Sequence, residues 1–315
     1  MKNNKVLITG AFGLVGTDLI AELQKTLPKS DIIAISHKTA RNNADITIEH
    51  GDVTDEKFLE EIIKKHQISK VYHLAGLLSV GSEKDPELAW RVNLGGLKTM
   101  LDLAVKYKLK VFWPSSIAVF GSTTPKINTP QHTVLEPTTM YGVNKVAGEL
   151  LCQYYYLRYG LDVRSLRYPG LIAYKAPPGD GTTEYSVHIF YGAIQNNKYT
   201  CFLSKNSRLP MMFIADAIKG TLQLMSAPAK NITIRTSYNF AAIDVTPEEL
   251  VNEIQKNIPD FKCEYKPDYR QKIADSWPDS IDDSQARHDW GWKPEYVLDK
   301  MTRVMLEEVD KKLKR

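Results

Sequence analysis

Short apolar runs alternate with amphipathic stretches through the first half of the chain. KVLITG (5–10), DIIAIS (31–36), ITIEHGDV (46–53), KVYHLAG (70–76), KVFWPSS (110–116) and DVRSLRYPG (162–170) each read as a strand. Between them, apolar positions recur every three or four residues near 14–27, 55–66, 87–107 and 140–159, which predicts helices there. Such alternation predicts βαβ units and a parallel sheet covered on both faces. The expected fold class is therefore α/β. A Rossmann-like, doubly wound parallel sheet is expected over 1–170. A smaller C-terminal α+β substrate lobe is expected over 171–315, with parts returning to the first domain. Pro, Gly and Thr cluster at 177–183, where the rhythm changes. There is no internal repeat.

Composition narrows the function classes. The chain has 315 residues and a net charge of +4, with its basic residues scattered. A nucleic-acid partner is not expected from that pattern. No apolar run reaches the ~18 residues of a membrane span, so no membrane partner is expected. The three cysteines, Cys152, Cys201 and Cys263, have no metal-ligand spacing. They read as free thiols of a reducing compartment, and the expected location is the cytoplasm. No metal site is expected.

The candidate chemistry begins after the first run. Gly10, Gly13 and Gly16 stand between a strand and a helix in ITGAFGLVG. Glycines there allow a tight turn and close backbone approach to a pyrophosphate, and a helix N-terminus favours its charge. Gly10, Phe12, Gly13, Leu14 and Val15 are the expected cofactor contacts of this loop. An adenine-ribose partner belongs about 20 residues on, and is acidic in many NAD enzymes. Here Ser36 and His37 stand there, with Lys38 and Arg41 close by. A hydroxyl and bases can accept a 2′-phosphate. No carboxylate occupies position 36, so these residues leave NAD and NADP both open.

Tyr141 and Lys145 lie one helical turn apart in TTMYGVNKVAGELL, which Thr138 or Thr139 can cap. That spacing recurs at Tyr296 and Lys300, so spacing alone carries little. Ser115 and Ser116 end the fifth strand, where ligands of open α/β sheets lie. Glycine loop, strand-end serine and Tyr-x-x-x-Lys, in that order, resemble the short-chain dehydrogenase/reductase family. The resemblance implies Ser116, Tyr141 and Lys145 as catalytic residues. Tyr141 takes an alcohol proton, Lys145 favours tyrosinate and holds the cofactor ribose, and Ser116 holds the reacting oxygen. It also implies cofactor contacts at Asp52 and Val53, at Leu74, Ala75 and Gly76, and at Asn93.

HLAGLLSVGSEKDPELAWRVN (73–93), SLRYPGLIAYKAPPGDGTTEYSVHIFYGAI (165–194), RLPMMFIADAI (208–218) and SWPDSIDDSQARHDWGW (276–292) resemble the L-threonine 3-dehydrogenase type of the extended, epimerase-like branch. The similarity runs over about residues 5–308. It implies oxidation of the L-threonine 3-hydroxyl to 2-amino-3-oxobutyrate with NAD as the cofactor, NADP staying open because Ser36 stands where family members usually carry Asp. It implies a small-molecule substrate and a homodimer built on 87–107 and 140–159. It implies an amino-acid pocket of Ser79, Ser115, Tyr141, Thr182 and Trp277, and places Tyr168, Pro169 and Ile172 along the nicotinamide. Thr182 and Thr183 suit a carboxylate, with loop capping as their plainer role. Trp277 suits a closing aromatic or a core residue. Arg167 and Arg208 suit a carboxylate or structural ion pairs. A nucleotide-sugar epimerase or dehydratase, and a non-catalytic cofactor-binding protein, share parts of this pattern.

Overall fold

The computed structural model describes residues 5–37, 45–176, 179 and 181–314. Lys38 and Arg41, named above, lie outside the described residues. The chain divides into two compact units in interleaved segments. The first comprises Met1–Ser116, Thr139–Arg167 and Thr221–Tyr238. The second comprises Ile117–Thr138, Tyr168–Gly220 and Asn239–Arg315. The two units therefore do not meet at a single boundary at 170/171: segments 117–138 and 221–238 cross it in opposite directions.

The first unit begins β1 (Val6–Thr9), α1 (Leu14–Leu23), β2 (Ile32–Ser36), β3 (Thr47–His50) and α2 (Glu56–His66). It continues with β4 (Lys70–His73), α3 (Ser79–Lys84), α4 (Pro86–Ala89), α5 (Gly96–Tyr107), β5 (Lys110–Ser116), α6 (Met140–Tyr159) and β6 (Val163–Tyr168). The seven-stranded parallel sheet runs β3, β2, β1, β4, β5, β6 and then the short strand Tyr238–Asn239. This is the doubly wound order of a dinucleotide-binding fold, reversing direction beside β1. The register is regular: Val6, Leu7 and Ile8 pair with Ile32, Ile33 and Ala34 on one side, and with Lys70, Val71 and Tyr72 on the other. All four β1 residues are buried, as a strand covered on both faces requires.

The helix expected over 87–107 is interrupted. Asp85 accepts from Leu88 N at 2.9 Å and caps α4. A π-helical turn, Trp90–Gly95, then precedes α5. The Asn93 side-chain amide sits in that turn. It accepts from Leu77 N at 2.7 Å and donates to Leu77 O at 3.1 Å. Wide turns of this kind are often found at functional sites.

Helix α6 starts where Thr139 accepts from Gly142 N at 3.1 Å, and ends at Gly160 in the left-handed region. It lies on β5, where Gly148 faces the Trp113 indole. A Cβ at Gly148 would come within 2.3 Å of that ring.

The second unit holds a three-stranded sheet of Gly170–Ile172, Leu209–Phe213 and Ile243–Val245, part parallel and part antiparallel. Lys198–Cys201 and Lys262–Tyr265 form a separate parallel pair. No helix among the described residues is long and apolar enough to cross a membrane.

Gly148→Ala tests the seating of α6. Helix propensity alone favours alanine by up to ~1 kcal/mol. Overpacking against a buried indole costs about 1–3 kcal/mol. The urea midpoint should fall; a midpoint that holds or rises would show that α6 does not press on Trp113.

Candidate active site

A cavity of about 430 Å³ opens in the first unit at the carboxyl ends of its strands. Gly10, Phe12, Gly13, Ser36, His37, Asp52, Val53, Ala75 and Gly76 line it, with Leu77, Leu88 and Val92 among its other wall residues. Leu14 and Val15 form the first turn of α1 rather than the wall. Leu74 follows β4, and its carbonyl meets the glycine loop from behind. Asn93 acts from behind as well, through Leu77. Ala11, Ile35, Gly51 and Leu77 also line the cavity without a signal in the sequence, and Leu88 and Val92 have none because a straight helix over 87–107 gives no sign of the π turn that holds Val92.

The loop fits a dinucleotide. Gly10 has φ +63°, and a Cβ there would stand 2.7 Å from Ala75 N. Only glycine lets β1 turn this close to the end of β4. Gly13 is the N-cap of α1 and offers no capping side chain, and no acidic residue lies in the first turn. The first-turn amides therefore suit an anion. After β3, Asp52 accepts from Thr54 N and Thr54 Oγ1, both at 2.8 Å. The backbone hydrogen bond from Thr54 is the main reason its carboxyl is held below the ordinary range.

The strand ends are tied together behind this loop. Thr9 Oγ1 accepts from Ala75 N at 3.1 Å and lies 3.1 Å from His73 Nδ1. Burial drives His73 down to about 4, and the nearby Lys145 charge adds to this. His73 is therefore a neutral structural ring.

The Ser116 hydroxyl, at the end of β5, hydrogen-bonds the Tyr141 phenol. Lys145 Nζ stands 5.3 Å from the centre of the Tyr141 ring, donates to Pro114 O at 2.5 Å, and lies 4.5 Å from the centre of the Trp113 ring. Burial pushes Tyr141 up to about 12, against the lowering effect of Ser116. Burial pushes Lys145 down to about 7, opposed by Cys152 and Glu149. With these effects combined, both groups are neutral between about pH 7 and about pH 12. A phenol becomes a base here only where positive charge offsets its desolvation.

Ser115 is buried, and its hydroxyl donates to Glu149 Oε1 at 2.6 Å. Arg167 holds the same carboxylate at 2.9 and 2.8 Å. Arg167 is thus in a buried ion pair, and Arg208 pairs with Glu249 at 2.6 Å. Ser79 begins α3 and is buried.

In the second unit, Thr182 is buried and its hydroxyl has no hydrogen-bond partner among the described residues. Thr183 lies close to Gly170, where a Cβ would meet its methyl at 2.8 Å. Tyr168, Pro169, Ile172 and Trp277 are also buried in this unit. His188 bonds Gly179 O at 3.0 Å. Tyr296 and Lys300 form a surface pair, with Nζ 3.9 Å from the ring centre and the ring against Phe213. No group of three or more His, Cys, Asp or Glu side chains is placed to hold a metal ion among the described residues.

This fold and this loop define a nicotinamide-dinucleotide oxidoreductase of the short-chain class. The chain belongs to the NAD dependent epimerase/dehydratase family, whose model matches residues 6–241. It is 44% identical to an uncharacterised epimerase/dehydratase of Staphylococcus saprophyticus, over 98% of each chain. It is similar to the solved GalE-like L-threonine dehydrogenase of Cupriavidus necator, with 47% identity, a TM-score of 0.95, and coverage of 97% of this chain and 99% of that one. It is also similar to a monomeric L-threonine 3-dehydrogenase from a metagenome, with 46% identity, a TM-score of 0.95 and the same coverage.

The depressed lysine predicts a pH-dependent stability. Below pH 7 the folded protein must bury the ammonium. Between about 7 and the ordinary 10.5 the unfolded chain binds the extra proton, so this cost fades as pH rises. Lys145→Met should therefore raise the urea midpoint at pH 6, and by less at pH 9.5. An equal or larger gain at pH 9.5 would refute the burial of an ammonium here.

Proposed function

We propose that the protein oxidises the 3-hydroxyl of L-threonine to 2-amino-3-oxobutyrate, with Tyr141 as the base. The observation that carries the reading is the hydrogen-bonded Ser116–Tyr141 pair beside Lys145, in the unit that holds the glycine-loop cavity. Its substrate comes from the likeness to the threonine dehydrogenases.

Gly10, Gly13, Ser36, His37, Asp52, Val53, Ala75 and Gly76 hold the dinucleotide in this reading, and Lys145 holds its ribose. When bound, the nicotinamide supplies the acceptor for the hydride that leaves C3. Tyr141 takes the hydroxyl proton from the same carbon's oxygen. Ser116 bonds that oxygen as it becomes a carbonyl. The Lys145 ammonium favours the tyrosinate form. The Ser115 proton is held by Glu149, so Ser115 offers the substrate an acceptor rather than a donor. The partnerless, buried Thr182 hydroxyl supports its assignment to the polar groups of the amino acid. Trp277 keeps its proposed pocket role on resemblance, and Thr183 keeps its role as a hydrogen-bond donor to the carboxylate.

NAD is the proposed cofactor, and the hydroxyl of Ser36 keeps NADP in the test. L-threonine is supplied with NAD and with NADP side by side, to the wild type and to Tyr141→Phe. Threonine-dependent reduction by the wild type is expected, lost by at least a hundredfold in Tyr141→Phe while nucleotide binding persists. Near-normal turnover in that variant removes Tyr141 as base. No reduction with either nucleotide, in protein that binds it, moves the reading to sugar-nucleotide epimerisation, which leaves no net reduced cofactor.

A homodimer and a cytoplasmic location belong to the same reading. Val143, Leu150, Tyr154 and Leu157 are exposed at helical spacings along α6, with Leu157 at 71%. Such a stripe on a monomer is an association surface. Sedimentation should give twice the mass of one chain; a single-chain mass at micromolar concentration removes the dimer. The three free cysteines support a reducing compartment.

A further inference from the structure

Lys145 is only 8% exposed, yet no carboxylate is bonded to it among the described residues. Glu149, one turn along α6, is the obvious counter-ion. Its Oε1 accepts from Arg167 Nε at 2.9 Å and from Ser115 at 2.6 Å, and its Oε2 accepts from Arg167 at 2.8 Å. Arg167 therefore answers that charge. The ammonium is left with the Pro114 carbonyl at 2.5 Å, the Trp113 indole at 4.5 Å and the Tyr141 ring at 5.3 Å.

The indole is fixed in this place. Trp113 is buried, and Gly148 gives it the space that any larger residue would take. A carboxylate against Lys145 would hold the ion but cancel its field at Tyr141. An aromatic face attracts a cation through its quadrupole and has no net charge. The field of the ammonium then still acts on the phenol. Glu149 attracts the ammonium across one helical turn without bonding to it, the Cys152 thiol is pushed up by burial, and burial keeps His73 neutral.

We propose that the Trp113 indole face is a positioning group that holds the Lys145 ammonium without neutralising it, so that the charge acts on Tyr141. The proposal deepens the assignment of Tyr141 as base and rests on it. It predicts that weakening the indole face alone makes Lys145 easier to deprotonate.

Fluorine on the indole withdraws density from the face with little change of shape, so the fold is kept. The whole protein is prepared with mono- and difluorinated tryptophan and with carbon-13 at lysine Cε. The Lys145 titration is read by NMR and assigned by its loss in Lys145→Met. It should move to lower pH with each fluorine, by about one unit once the face is largely lost. In Trp113→Phe, fluorinating the remaining tryptophans should add no shift. A titration that ignores fluorine, or a trend that persists in Trp113→Phe, overturns the proposal. The alkaline limb of kcat/KM with L-threonine should fall in step. The NMR titration needs no turnover, so a failed threonine reaction and a failed role for Trp113 give different results.

Discussion

Burying one ammonium is the constraint on which the first unit depends. Lys145 loses its water, and the structure replaces it with a strand carbonyl and an indole, both from β5. For these to reach Nζ, α6 must lie close on β5, and Gly148 permits that approach. The same seating brings Ser116 to Tyr141 and Ser115 to Glu149. Three neighbouring contacts thus follow from one helix-on-strand register. A small slide of α6 would disturb all of them together, because i and i+4 positions share one face. The unit spends stability here, as sites that tune charge commonly do.

The glycine loop is a second close approach, made of backbone rather than side chains. Gly10 bends β1 into the end of β4, where no Cβ fits. Thr9, His73 and Ala75 then lock the two strand ends behind it. Burial keeps the His73 ring uncharged, so it adds no second cation beside Lys145. The network therefore holds geometry on one side and leaves the electrostatics to a single lysine on the other.

Legibility from sequence followed the range of each interaction. Periodicity is local, so the strands and α1, α2 and α6 could be read with errors confined to their ends. The glycine loop was legible because turn and helix start lie within one short stretch. The π turn at Trp90–Gly95 was not, because an amphipathic pattern over 87–107 is equally consistent with a straight helix, and the Asn93–Leu77 hydrogen bonds that accompany the turn join residues 16 apart. Nor was the partner of Glu149 legible. For Arg167 a substrate carboxylate and a structural ion pair both stood open, and the ion pair is present, but its partner Glu149 lies 18 residues away and carries no local signal. The boundary between units was hidden for the same reason. Segments 117–138 and 221–238 are assigned by packing and not by composition.

Tyr296 and Lys300 measure how little a motif carries by itself. Their spacing matches that of Tyr141 and Lys145, and in both pairs the lysine lies near the tyrosine ring, at 3.9 and 5.3 Å. In the surface pair the ammonium is hydrated and its charge is screened. Water already does for it what Pro114 and Trp113 do for Lys145. The surface lysine thus exerts little field on its tyrosine, whatever the distance. In the interior pair, low polarisability around the ion lets the field persist over several ångströms. Spacing puts a lysine beside a tyrosine; burial without a neutralising partner is what gives that proximity chemical force.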